Sequence, residues 1–334
     1  MQATLAQPAS AFGPGLHTGR QAQVTLAPAP PDHGIRFRVE GAPAGDVRLH
    51  WSNRVPARMN TALGLGGGRR LKTVEHLAAA LAAFGIDNAL AAVRGPELPI
   101  FDGSARRWCD LIRQAGVASQ DAPRPVLRIT RPVQVTHVGR LIRAEPAPRL
   151  TLDVTCEHSF TGEVLAWRGE ITTAAFEREI AGSRSSGQVS KLWTAGALRH
   201  PVLARWLRAL DLDRAPGAGP TGRPGLAANV PNPDLPTGIA DDILRAMRAD
   251  PAEPVLRGAR PGRVAVELGP WILGGARYPD EVVRHFALDL LGDLLLADAP
   301  VLGRIVAHRP THALAYAFAA TLARSPECWT LSPR

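Results

Sequence analysis

The chain has 334 residues, 45% of them hydrophobic and 21% charged, which suffices for one large core or two ordinary ones; two domains are expected. Its 32 glycines and 30 prolines demand many turns but follow no repeat period, so a collagen-like or low-complexity chain is excluded. The net charge of +9 rests on scattered arginines, with Lys72 and Lys191 the only lysines, and no basic run marks a nucleic-acid binder.

Cys109, Cys156 and Cys328 are odd in number and lack CxxC spacing, so neither a disulfide framework nor a cysteine zinc site is expected, and the compartment should be reducing. Residues 1–12 carry no Lys or Arg and no apolar leader core. No stretch approaches the roughly 18 apolar residues of a transmembrane helix. A cytoplasmic monomer is expected.

In chain order, residues 21–28 (QAQVTLAP) and 34–40 (GIRFRVE) alternate polar and apolar, which predicts two half-buried strands joined by a turn and pairing at the start of the fold. Val74, Leu77, Leu81 and Phe84 then recur at helical spacing, with Thr73 as the expected N-cap and Gly85 as the C-terminal glycine. A strand over 89–93, a rigid loop through Pro96 and Pro99, and a helix over 105–115 follow. A polar, turn-rich boundary at 117–124 precedes renewed alternation at 126–130, 134–137 and 150–155.

Residues 172–180 read as helical. An insertion is expected at about 193–263, with an amphipathic helix near 203–210 and a Gly/Pro/Ala-rich stretch. A strand over 264–268 leads to a long helix from Pro279-Asp280-Glu281 to about Asp298, then a short strand at 305–308 and a closing helix over 312–323. The fold class is α+β, in two units at 1–120 and 125–330, each running strands, helix, strand, helix, as a duplicated unit would.

On the long helix His285, Asp289 and Asp293 lie four residues apart and share one stripe, while leucines and Phe286 cover the other faces. Buried ionisable groups are costly unless paired or metal-bound. A simple helical His–Asp pair would explain two of them. His76, with Glu75 beside it, and His312 beyond the helix widen the reading: His76, His285 and Asp289 match the three-ligand count of a catalytic zinc, and Glu75 could serve as a base or merely as a dipole-favoured acid. Asp293 could hold His312 charged.

These residues sit in longer motifs. Thr73-Val74-Glu75-His76-Leu77, Gly85-Ile86-Asp87-Asn88, Gly95-Pro96-Glu97-Leu98-Pro99-Ile100 and Asp102-Gly103-Ser104-Ala105 closely resemble the UDP-3-O-acyl-N-acetylglucosamine deacetylases of lipid A biosynthesis. Gly15-Leu16-His17-Thr18-Gly19 and the segment from Asp280 through His285, Asp289 and Asp293 agree in order, and His312 follows. The resemblance spans about 9–323 apart from the insertion. It implies two similar α+β domains, each a small sheet with two helices, facing each other across the active site.

The resemblance further implies zinc, or iron(II) on the same ligands, held by His76, His285 and Asp289, with Glu75 as general base and His312 with Asp293 as the charged pair. Asp102 and His17 match further motif positions as supporting residues, or as an ordinary turn and loop. Two positions depart. Phe286 stands where the family carries a lysine that helps hold the nucleotide substrate, and Arg184, Arg277 or Arg284 could replace it or simply be solvated. Ser185-Ser186-Gly187-Gln188 stands where the family has Thr-Phe-Gly-Phe, so Ser185 keeps the hydroxyl that assists the oxyanion while the apolar walls of the acyl passage are lost.

The expected activity is hydrolysis of the N-acetyl group of a UDP-acyl-amino-sugar. The alternatives are a divergent paralogue acting on another acetamido sugar and a zinc-binding regulatory protein without turnover. Glu75, His312 and Asp293 beside the ligands speak against the last, because a metal scaffold needs neither base nor acid.

Overall fold

The computed structural model describes residues 1–158, 162–188, 256–260, 262–268, 271–272, 275–297 and 299–333. Two five-stranded sheets organise it. The first holds β1 (Ala9–Pro14), β2 (Gln21–Pro28), β3 (Ile35–Val39), β4 (Asp46–Arg48) and β5 (Ala89–Arg94), in the order β1-β2-β5-β3-β4. The second holds β6 (Val133–His137), β7 (Arg140–Glu145), β8 (Thr151–Glu157), β9 (Val164–Glu170) and β10 (Arg304–His308), in the order β6-β7-β10-β8-β9. In each the last strand enters the middle, antiparallel to the second and parallel to the third. The mixed α+β class and the duplicated order are as expected.

Alternation sets the faces. Along β2, Ala22, Val24 and Leu26 are buried while Gln21 and Gln23 are exposed, as a strand half-covered by helices requires. The expected direct pairing of 21–28 with 34–40 does not occur, since β5 lies between them and hydrogen-bonds to both.

Among the described residues the four longest helices are α1 (Glu75–Ala83), α2 (Arg106–Ala115), α3 (Glu281–Leu294) and α4 (His312–Ala323). Helix α1 is buried nearly all round and stops where Gly85 takes φ +70. Thr73 is not its cap. Val74 precedes the helix without a side-chain bond, and Thr73, held at φ +60, donates its hydroxyl to Glu97 Oε1 at 2.8 Å instead. Helix α3 ends at Leu294, short of the expected Asp298, which lies outside the described residues. By contrast α4 begins with a side-chain cap, Thr311 Oγ1 accepting from the Leu314 amide.

Helices α1 and α3 touch backbone to backbone. Gly292 makes this possible, because a Cβ there would sit 2.1 Å from the Glu75 carbonyl oxygen. That contact brings the first turn of α1 against the last turn of α3, where the stripe of ionisable residues ends in Asp293.

Each half also carries a three-stranded accessory sheet: Arg54–Val55, Ala62–Gly64 and Arg70–Leu71 in the first, Ser186–Gln188, Ala265–Leu268 and Trp271–Ile272 in the second. The region 172–180 is helical as expected, Thr173–Ala175 passing into a wider π turn at Phe176–Ile180. The expected helix near 203–210 and most of the expected insertion lie outside the described residues. Among the described residues no helix is long and apolar enough to cross a membrane.

Candidate active site

The first turn of α1 supplies Glu75 and His76, α3 supplies His285, Asp289 and Asp293, and the first residue of α4 is His312. These six side chains converge. His76 Nε2 lies 3.6 Å from Asp289 Oδ1, and His285 Nε2 lies 3.5 Å from Asp289 Oδ2. One ligand atom from each of His76, His285 and Asp289 falls within 4.8 Å of the others, a spacing that could hold a metal ion.

The surroundings fit a cation. The Nδ1–H of His285 donates to the Ser183 carbonyl at 3.2 Å, which fixes the ring with Nε2 facing the cluster. Burial holds His76 well below the usual imidazole pKa, the neighbouring His285 and His312 adding to the effect, so its ring is neutral and able to ligate. Burial raises the Asp289 carboxyl against the pull of His285 and His312, and its Oδ1 is buried without a hydrogen-bond partner. A positive charge at the centre would relieve that carboxylate.

Glu75 and His312 flank the cluster. Glu75 Oε2 accepts the Thr61 amide at 3.0 Å, and Oε1 lies 3.9 Å from His312 Nε2. Burial pushes the Glu75 carboxyl up to about 8; His312 pulls it down, while Asp289 and Asp293 push it up. For His312 burial opposes charge, yet Asp293, by charge and hydrogen bond, and then Asp289 and Glu75 outweigh it and raise the imidazole to about 10. The bond that anchors it runs from His312 Nδ1 to Asp293 Oδ2 at 2.8 Å. Ser185 Oγ completes the group, 3.2 Å from His285 Nε2 and 3.4 Å from His76 Nε2. A carboxyl group, a charged imidazole and a hydroxyl thus ring one potential metal position.

The supporting motif residues take other places. Asp102 accepts from Ser104 and from Arg277 Nη1 at 2.8 Å, a turn tied across to the second half. His17 is buried, and burial lowers its imidazole to about 4 against the charge of Glu97. None of the three arginines considered as a lysine replacement is simply solvated. Arg184 is buried in a pair with Glu281 at 2.8 Å, Arg277 holds Asp102, and Arg284 holds Asp280. Phe286 instead forms the wall of a cavity of about 110 Å³ shared with Asp289, Asp293 and His312.

Sequence reasoning missed three contributors. Thr61 contacts both Glu75 and Asp293, yet sits in Met59-Asn60-Thr61-Ala62, a stretch without motif or period. Glu97 lies inside a quoted motif but drew no role; its carboxylate, fully buried, receives the amides of His17 and Thr18 and the hydroxyls of Thr18 and Thr73. Glu281 does the same in the second half, accepting the amides of Arg184 and Arg277 and the Arg184 guanidinium. Buried acids with four donors were legible only as helix-start or loop acids.

Two histidines and a carboxylate that could hold a metal, with a second carboxyl and a charged imidazole beside them, fit a hydrolase of the metal-assisted class. Comparison sharpens the class to a family. The model of the family described as LpxC, UDP-3-O-acyl N-acetylglycosamine deacetylase, matches residues 2–205 and 255–324. A protein of Anaeromyxobacter sp. (strain Fw109-5) is 33% identical, covering 98% of this chain and 90% of its own length. One of Neisseria gonorrhoeae is 30% identical over 94% and 87%, and one of Myxococcus xanthus 32% identical over 99% and 89%. All three are named UDP-3-O-acyl-N-acetylglucosamine deacetylase. This chain belongs to that family of deacetylases.

Proposed function

We propose that this chain hydrolyses the N-acetyl group of UDP-3-O-acyl-N-acetylglucosamine, releasing acetate in lipid A assembly, with zinc held by His76, His285 and Asp289. The observation that carries the reading is the convergence of those residues with Glu75 and His312 at the α1–α3 contact, in a member of a deacetylase family. Zinc there would supply Lewis acidity, polarising the amide carbonyl and making water a stronger acid.

The chain's own groups handle the protons. Glu75 takes one from the attacking water through Oε1, because Oε2 is occupied by the Thr61 amide. Ser185 donates towards the oxygen of the tetrahedral intermediate. His312, charged through Asp293, gives a proton to the amine nitrogen as its bond to the acetyl carbon breaks. Water is consumed, and acetate and a free amine leave.

Purified protein tests this. Glu75→Gln should retain zinc while acetate release falls roughly 10²–10⁴-fold, the contribution of a positioned proton acceptor; unchanged turnover removes Glu75 as base. Offering acylated and non-acylated UDP-N-acetylglucosamine tests the substrate. The second reading, another acetamido sugar, is favoured by Phe286 on the cavity wall, and preference for the non-acylated sugar would establish it. Stoichiometric zinc without acetate from either would leave the regulatory reading. Metal analysis of protein purified without added metal distinguishes zinc from iron(II). We place the enzyme in the cytoplasm as a monomer, the reducing compartment supported by an odd count of three cysteines without CxxC spacing, and cell fractionation and size-exclusion chromatography test both.

A further inference from the structure

Thr61 sits on the loop just before the accessory strand Ala62–Gly64, only 1% exposed, and all three of its polar groups are engaged at the site. Its carbonyl accepts the Val74 amide at 3.3 Å, which fixes the chain entering α1. Its amide donates to Glu75 Oε2 at 3.0 Å. Its hydroxyl donates to Asp293 Oδ1 at 2.5 Å, while the other oxygen of Asp293 receives His312. One residue therefore grips the carboxylate on each side of the reaction.

We propose that Thr61 is a positioning residue for the deacetylation, aligning the proton acceptor Glu75 through its amide and the donor His312 through its hydroxyl and Asp293. The inference rests on the reading above, in which Glu75 and His312 move the protons. Thr61 touches neither the candidate metal ligands through any hydrogen bond nor the small cavity beside His312. Its role is geometric. A carboxylate with one oxygen held by His312 and the other by a hydroxyl cannot turn about its Cβ–Cγ bond, so the imidazole it carries points one way. Removal of the hydroxyl frees that rotation and leaves a buried carboxylate oxygen without its donor.

Thr61→Val keeps the amide and the side-chain shape but loses the hydroxyl, and Thr61→Ser keeps both donors. In the zinc-loaded full-length protein, kcat for acetate release should fall roughly 10–100-fold in Thr61→Val, the range for residues that support a metal site. KM and zinc content should stay at wild-type values, and Thr61→Ser should recover most of the rate. In an Asp293→Ala background, Thr61→Val should cost little more, because the bond is already gone. If Thr61→Val does not fold, Thr61→Ala carries the same comparison without the added methyl contact. Wild-type kcat in the valine or alanine variant overturns the proposal. So does a loss that Thr61→Ser shares, or one that adds fully to that of Asp293→Ala. Glu75→Gln measured alongside separates the two claims: an active Glu75→Gln removes the reading itself, whereas an inactive one with an active Thr61→Val removes only the role of Thr61.

Discussion

The two halves use one plan and divide the chemistry unequally. The five-stranded sheets correspond in order and in strand directions, yet the first half gives Glu75 and His76 while the second gives His285, Asp289, Asp293 and His312. Helix α1 presents its two at its N-terminal turn. Helix α3 presents its three on one stripe that runs from its second turn to its last, and it meets α1 at Gly292 in that last turn. The accessory sheets differ in build, antiparallel throughout in the first half and mixed in the second, yet each delivers a hydroxyl: Thr61 precedes the central strand Ala62–Gly64, Ser185 precedes the edge strand Ser186–Gln188, and both reach the site. A duplicated scaffold thus brings side chains of both halves to one place, and their identity decides which could hold a cation and which an acid.

The unequal division can be broken at its strongest point. Asp289→Ala removes the carboxylate shared between the two imidazoles, and activity should fall to background with loss of bound metal, read by chelator competition. Retained metal would show that the centre lies elsewhere. Ser185→Ala should lower kcat roughly 10²–10³-fold if the second accessory sheet delivers an oxyanion donor, with metal retained. An unchanged kcat would reduce that sheet to scaffolding. Gly292→Ala sharpens the contact between halves, since its new Cβ must push α1 back from 2.1 Å. It should destabilise by about 1–3 kcal/mol, measured by urea unfolding, and an unchanged midpoint would mean that the helices are free to separate.

How much was legible follows from the same comparison. Alternation predicted β2, β3, β6 and β8, and helical spacing predicted α1, because period reports which face is buried, while a proline and acids marked the start of α3. Period does not report partners, so β5 entering between β2 and β3 was invisible. The six site residues were readable from motifs, two of them side by side at 75–76 and three on one helical stripe. Thr61 was not readable, since its bond to Asp293 spans 232 positions and a threonine before a short strand carries no signal of its own. Thr73 misled for a related reason: a threonine before a helix predicts a cap, but Glu97 offered its hydroxyl a charged acceptor, and the backbone turned to φ +60 to reach it.

The smallest expected effect separates the halves away from the chemistry. The residue that follows β3 is Glu40, exposed, whereas the one that follows β8 is His158, buried beside Glu267 with 4.0 Å between Nε2 and Oε2. Burial lowers the His158 imidazole to about 4, with the charge of Glu163 pulling the other way. Folded protein therefore keeps this ring neutral down to about pH 4, while the unfolded chain protonates it near 6.5. Between those values the unfolded state binds more protons, so stability falls as pH falls through the window, and above it the ring contributes nothing to the slope. One such group changes stability by at most about 1.4 kcal/mol per pH unit. Urea midpoints at several pH values across the window should show a shallower decline in His158→Gln than in wild type. Identical slopes would mean that the buried end of the second sheet opens to water as readily as the exposed end of the first, and that the second half's deeper burial here has no energetic consequence.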